Sequence, residues 1–126
     1  MITHESVQMW LDNYVAAWKS LDPDQIRALF TEDVEYSYTP FDEPLVGREE
    51  IVRAWLEDFD DPSGSYDAKY YPIAVDGNVA VTNGRTRYYE PDGRTLEAVF
   101  DNIFVLTFDE VGQCVIFREW YVTPHG

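Results

Sequence analysis

The chain has 126 residues, 45% hydrophobic and 16% aromatic, enough for one domain, 1–126, with one sizeable core. Its 24 acidic and 9 basic residues give a formal charge of −15, which argues against nucleic acid and anionic membranes as partners. A single cysteine, Cys114, excludes an internal disulfide, and no apolar run reaches the length of a membrane span.

The first residues, MITHESVQMW, lack the basic and apolar regions of a secretion signal. With the lone cysteine, this makes the cytoplasm the expected location. Thr3 is a good N-cap, and Val7, Trp10, Leu11, Tyr14, Trp18 and Leu21 recur at helical spacing. A first helix is expected over about 4–20. Asp22-Pro23, with Gln25 at the capping-box position, opens a short second helix to about 31 that buries Ile26, Leu29 and Phe30. Val34, Tyr36 and Tyr38 alternate with Glu35 and Ser37, the period of a strand with one buried face. Thr39-Pro40 and Glu43-Pro44 force a turning connection. Gly47 can cap a third helix, with Glu49 and Glu50 at its positive end. Ile51, Val52, Trp55, Leu56 and Phe59 form that helix's apolar face.

The acidic turn around Asp60 and Asp61 ends the helical half. Four alternating runs follow, over 66–75, 79–90, 94–108 and 113–122, joined by turns at Gly77, Gly93 and Gly112. Helices followed by a meander predict an α+β fold: a cone-shaped barrel of three N-terminal helices packed on a curved antiparallel sheet. Such a layout leaves a cavity between helices and sheet.

The motifs Asn13-Tyr14-Val15-Ala16-Ala17-Trp18, Thr31-Glu32-Asp33-Val34 and Leu45-Val46-Gly47-Arg48-Glu49-Glu50-Ile51 resemble the helical half of the nuclear transport factor 2-like superfamily. Residues 109–120 resemble its closing hairpin, and the nearest branch is that of the SnoaL-like polyketide cyclases. The resemblance implies the cone fold and a small-molecule pocket. It leaves function open among isomerases, cyclases, hydrolases and binding modules.

Two branches can be compared at single residues. Tyr14 matches the oxyanion-donating tyrosine of ketosteroid isomerases. Their general base falls at Tyr38 here, and their second donor, a protonated aspartate, falls at or near Asn102. Phe117-Arg118-Glu119-Trp120 resembles the last-strand motif of limonene epoxide hydrolases, with Glu119 in the place of the catalytic acid. Their preceding Arg-x-Asp matches Arg85-Thr86-Arg87, so Arg87 replaces the second carboxylate.

Alternation puts Phe117, Glu119 and Tyr121 on one face of the last strand. If that face meets the helices, Glu119 is a carboxyl among aromatics and a candidate acid or base. Arg85 and Arg87 share a face of their own strand, and either is a candidate partner for Glu119 or for a ligand anion. The expected catalytic set is Glu119, Tyr14, Asn102 and Arg85. The expected ligand contacts are Trp18, Tyr38, Phe41, Trp55, Phe59, Arg87, Phe100, Phe104, Phe117 and Tyr121, with Tyr36 also near the cavity mouth. His4 and His125 lie near the chain ends and Cys114 is alone, so neither a metal nor a cofactor is expected.

These residues predict a pocket for an apolar small molecule, used for acid/base chemistry on a carbonyl-bearing or cyclic substrate. The alternative is a non-catalytic ligand-binding or dimerisation module. A homodimer is expected through the convex sheet face, where Ile103, Val105, Ile116, Trp120 and Val122 collect.

Overall fold

Thr3 starts the first helix, α1 (His4–Ser20). Its hydroxyl accepts from the Ser6 N–H at 3.0 Å while the Ser6 hydroxyl accepts from the Thr3 N–H at 2.8 Å, a capping box closed by serine. Val7, Trp10, Leu11, Tyr14, Ala17 and Trp18 form its buried stripe. The helix stops at Leu21, which takes a left-handed backbone, φ 53°, where glycine is more usual. The computed structural model describes residues 2–58 and 66–124. Phe59, Asp60, Asp61 and His125 therefore lie outside the described residues.

Asp22 caps α2 (Pro23–Arg27) by accepting from the Asp24 N–H at 2.9 Å. Gln25 does not close a box; it accepts instead from the Ser20 hydroxyl at 2.8 Å. The helix ends sooner than its apolar spacing suggests. Ile26, Leu29 and Phe30 are buried, but Phe30 already begins β1 (Phe30–Ser37). A two-residue strand, β2 (Leu45–Val46), folds back on β1 and pairs Tyr36 with Leu45. Gly47, at φ 99°, donates its N–H to Val34 O at 2.8 Å and leads into α3 (Arg48–Asp58). Arg27 Nε to Glu49 Oε2, 2.9 Å, ties α2 to α3 at the surface.

The meander is β3 (Tyr66–Asp76), β4 (Val79–Tyr89), β5 (Leu96–Phe108) and β6 (Cys114–Val122), each end within two residues of expectation. The six strands form one sheet in the order β2-β1-β6-β5-β4-β3. All neighbours are antiparallel except β1 and β6, which run parallel. The sheet is therefore mixed, and β1 closes it beside the last strand. The rings of Tyr36 and Phe117 stack across this seam at 4.1 Å and 6°. Trp10, Tyr14, Phe30, Trp55 and Phe104 extend the same aromatic core between the helices and the concave face. This is the α+β cone. Among the described residues no helix is long and apolar enough to cross a membrane.

Candidate functional site

Strand register decides which side chains reach the concave face. In an antiparallel pair, directly opposed residues point the same way. Phe104 opposes Glu119, Asn102 opposes Tyr121, and Gly84 lies between Tyr70 and Asn102. Those residues, except the glycine, line a cavity of about 190 Å³ beneath the helices. Tyr14 and Trp18 reach it from α1, Trp55 from α3, Tyr36 from β1 and Tyr38 from just past its end. Thr86 and Tyr88 enter from β4, and Phe100 from β5. Ten of the thirteen described lining residues are aromatic. Tyr14, Trp18, Tyr36, Trp55, Tyr70 and Phe104 are buried, whereas Tyr38, Tyr88, Phe100 and Tyr121 keep partial exposure and form the rim.

A chain of hydrogen bonds crosses the floor. The Tyr70 hydroxyl bonds the Thr86 hydroxyl, and Thr86 donates to Asn102 Oδ1 at 3.0 Å. Asn102 Nδ2 then donates to Glu119 Oε2 at 2.7 Å. Thr86 has one proton, so Tyr70 is the donor to it. Every donor in this arrangement points toward the carboxylate. On the opposite side of the cavity the hydroxyls of Tyr14 and Tyr36 bond each other at 2.7 Å. One phenol of that pair keeps a proton for a third partner.

Among the described residues Glu119 is the only charged side chain in the lining. Loss of hydration lifts its carboxyl to about 7, and the Asn102 hydrogen bond pulls weakly the other way. The groups facing it are phenols: Tyr14 from α1, Tyr36 from β1, Tyr70 from β3 and Tyr88 from β4. Burial holds all four phenols neutral, the Glu119 charge adds to the effect, and Tyr88 is pushed up to about 12. Among the described residues no cation offsets the carboxylate.

Here the structure corrects the sequence reading. Arg85 and Arg87 lie on the convex face, one residue out of phase with Thr86 and Tyr88. Arg85 Nε pairs with Asp101 Oδ2 at 3.2 Å and Arg87 Nη1 with Asp67 Oδ1 at 4.0 Å, both near solvent. Neither arginine touches Glu119 or the cavity. Phe41 is 96% exposed in the loop after β1, so it is no part of the mouth. Phe117 is fully buried behind Tyr14, Tyr36 and Phe104, under the cavity rather than in its lining. The structure brings Glu119, Tyr14, Asn102, Trp18, Tyr38, Trp55, Phe100, Phe104 and Tyr121 to the cavity. Phe59 is outside the described residues. Tyr70, Thr86 and Tyr88 escaped the sequence reading. The signal for the last two was present, because they are the residues that alternate with the arginines. Among the described residues no three His, Cys, Asp or Glu side chains converge as a metal site would require.

The hydrogen-bond chain makes a measurable statement. Carboxyl carbon shifts of Glu119 followed by NMR should titrate near 7, well above the ordinary value of 4.5. Thr86→Val removes the partner that holds the Asn102 amide in register. The support of Asn102 for the ionised carboxylate should weaken and the midpoint should move higher. A wild-type midpoint near 4.5 would show that water fills the site freely.

A protein-family model described as a SnoaL-like domain matches residues 11–116. No curated protein matches the chain in sequence. Among solved structures, an NTF-2 like protein of unknown function from Burkholderia xenovorans superposes with a TM-score of 0.67 at 16% identity. That match covers 95% of this chain and 85% of the other. An LEH-like epoxide hydrolase from M. tuberculosis gives 0.69 at 13% identity, covering 94% and 84%. At these identities the two structures establish a shared fold. The family model spans most of the sequence, from within α1 to the start of β6, and on that ground the chain belongs to the SnoaL-like domain family.

Proposed function

We propose that this protein binds a compact cyclic small molecule in the cone and moves a proton on it without a cofactor, Glu119 being the acid or base. The observation that carries this reading is Glu119 itself, a carboxyl lifted to about 7 in an aromatic cavity with no cation beside it among the described residues. A group poised there can both take and return a proton near neutral pH. The Tyr14–Tyr36 pair supplies a donor for a developing oxyanion, polarised by the bond between the two phenols. Asn102 spends one amide hydrogen on Glu119 and serves first to position it.

The volume narrows the substrate. About 190 Å³ is smaller than a drug-sized site and somewhat larger than a cavity that holds benzene. It suits a monocyclic or small bicyclic molecule. The test is hydrogen–deuterium exchange of small cyclic ketones in heavy water. Enzyme-dependent exchange next to the carbonyl, lost in Glu119→Gln, supports the reading. Tight binding of the same ketones without exchange supports the non-catalytic ligand-binding module instead, which the phenol-rich lining would equally serve.

We further propose that two copies pair through the convex face. Ile103 is 40% exposed and Val122 59%, and Val105, Ile116 and Trp120 are only partly covered. The Arg118 guanidinium lies over the Trp120 ring at 4.7 Å and extends the patch with its own flat surface. Light scattering at tens of micromolar should give twice the 14.7 kDa chain mass, and the monomer mass would overturn the pairing.

A further inference from the structure

We infer that the ligand of this cavity is an organic cation, of the class of compact cyclic ammonium or iminium ions. The inference rests on the cavity being the ligand site, as proposed above, and it fixes the ligand's charge: an iminium group takes the place of the neutral carbonyl, so no oxyanion develops. Glu119 is the lone charged group among the described residues of the lining. Its Oε2 accepts from Asn102, and no hydrogen bond from a described residue reaches Oε1. Glu119 is half-buried, and a carboxylate withdrawn from water on most sides is normally paired. Every described basic side chain near this end of the cone is turned away from it. Arg85 and Arg87 pair with Asp101 and Asp67 on the convex face, Arg118 covers Trp120 there, and Lys19 lies over the Tyr66 ring at 5.4 Å. The protein therefore leaves the partner of Glu119 to be supplied from outside.

The rest of the lining suits the same occupant. Aromatic side chains on several sides of a small cavity are the surroundings in which a poorly hydrated cation is best held, because ring faces carry negative potential. The net charge of −15 raises the local concentration of cations around the whole molecule. An anionic ligand would meet the charge of Glu119 and no cation among the described lining residues. Opposite a cation Glu119 stays ionised, so in the proposed proton transfer it is the base. An iminium ion with a hydrogen on the neighbouring carbon would lose that proton to the Glu119 carboxylate, giving a neutral enamine and the protonated acid, with atoms and charge in balance.

The test compares cyclohexylamine, which is protonated near pH 7, with cyclohexanol, which has the same ring and the same number of heavy atoms. Titration calorimetry on the whole protein should show the ammonium ion binding about tenfold more tightly. Near pH 7, runs in two buffers of different ionisation enthalpy should show proton release on binding, since the cation drives Glu119 to ionise. Glu119→Gln should erase both the preference and the proton release. Equal or tighter binding of cyclohexanol to the wild type overturns the charge assignment and leaves the ligand site standing. An ammonium preference that survives undiminished in Glu119→Gln also overturns the pairing with Glu119, since the attraction would then come from the rings or the surface charge alone. Failure of both compounds to bind at millimolar concentration overturns the ligand site as well. The proton-release measurement uses the wild type alone, so the outcome does not depend on how well the variant folds.

Discussion

Glu119→Gln should sharply reduce the proposed proton transfer and, at the same time, make the folded protein more stable above neutral pH. The two effects share a cause. In the folded chain burial holds the carboxyl proton to about pH 7, while in the unfolded chain it leaves near 4.5. The folded state thus binds more protons between those values, and stability falls as pH rises through them. The stabilising contribution is complete below about 4.5 and lost above about 7. At about 1.36 kcal/mol per pH unit, the difference is about 3 kcal/mol. Glutamine keeps the size and the acceptor for Asn102 but never ionises. Urea denaturation at pH 8 should therefore find the variant more stable by up to about 3 kcal/mol, and the gap should close at pH 4. Proton exchange on a substrate should fall about 10²–10⁴-fold in the same variant. A variant less stable than wild type at pH 8 would mean that the carboxylate is better solvated than its surroundings imply.

Gly84→Ala is expected to be the most damaging small substitution in the sheet. A Cβ at this position would sit 2.1 Å from Lys69 O, 2.5 Å from Tyr70 Cδ1 and 2.6 Å from Tyr70 Cα. Two of these three atoms are backbone, so relief requires β3 and β4 to separate. The glycine leaves a bare patch on β4, and the Tyr70 ring lies across it with its hydroxyl on Thr86. Overpacking of this kind costs about 3 kcal/mol, at the upper end of the usual range. Thermal unfolding should shift down by roughly 10 °C. Loss of the Tyr70–Thr86 bond should also move the Glu119 titration, so the damage reaches the cavity as well as the fold. An alanine variant with wild-type melting would show that the strands part at no cost.

Local periodicity carried most of the fold and only part of the site. The helical spacing from Val7 to Trp18 and the alternation in the meander are repeated several times, so each reports an element with its buried side. β2 has two residues and no period to read. The parallel pairing of β1 with β6 depends on residues at opposite ends of the sequence, which no local pattern encodes. In the site, alternation correctly grouped Arg85 with Arg87 and Glu119 with Tyr121 but could not say which group faces inward. The motif match drew the arginines into the cavity, whereas the strand register turns Thr86 and Tyr88 inward and leaves the arginines beside Asp101 and Asp67 on the convex face. Tyr70 and Tyr71 are adjacent and chemically alike, so the sequence alone could not tell the buried one from its 48% exposed neighbour.

The seam between β1 and β6 also sets a timetable. Synthesis runs from the N-terminus, so Phe30 and Tyr36 leave the ribosome well before Phe117 and Glu119 exist. At about 5–20 residues per second the interval is on the order of seconds, long compared with helix or hairpin formation. Throughout it β1 can pair with β2, but its other edge has no partner and the Tyr36 ring no stacking surface. The helices gather over a half-built floor, and the carboxyl that would do the chemistry arrives with the strand that closes the sheet. A nascent chain halted before residue 119 therefore has neither a sealed cone nor an acid. The cavity lining and its carboxyl are completed together, when the last strand pairs beside the first.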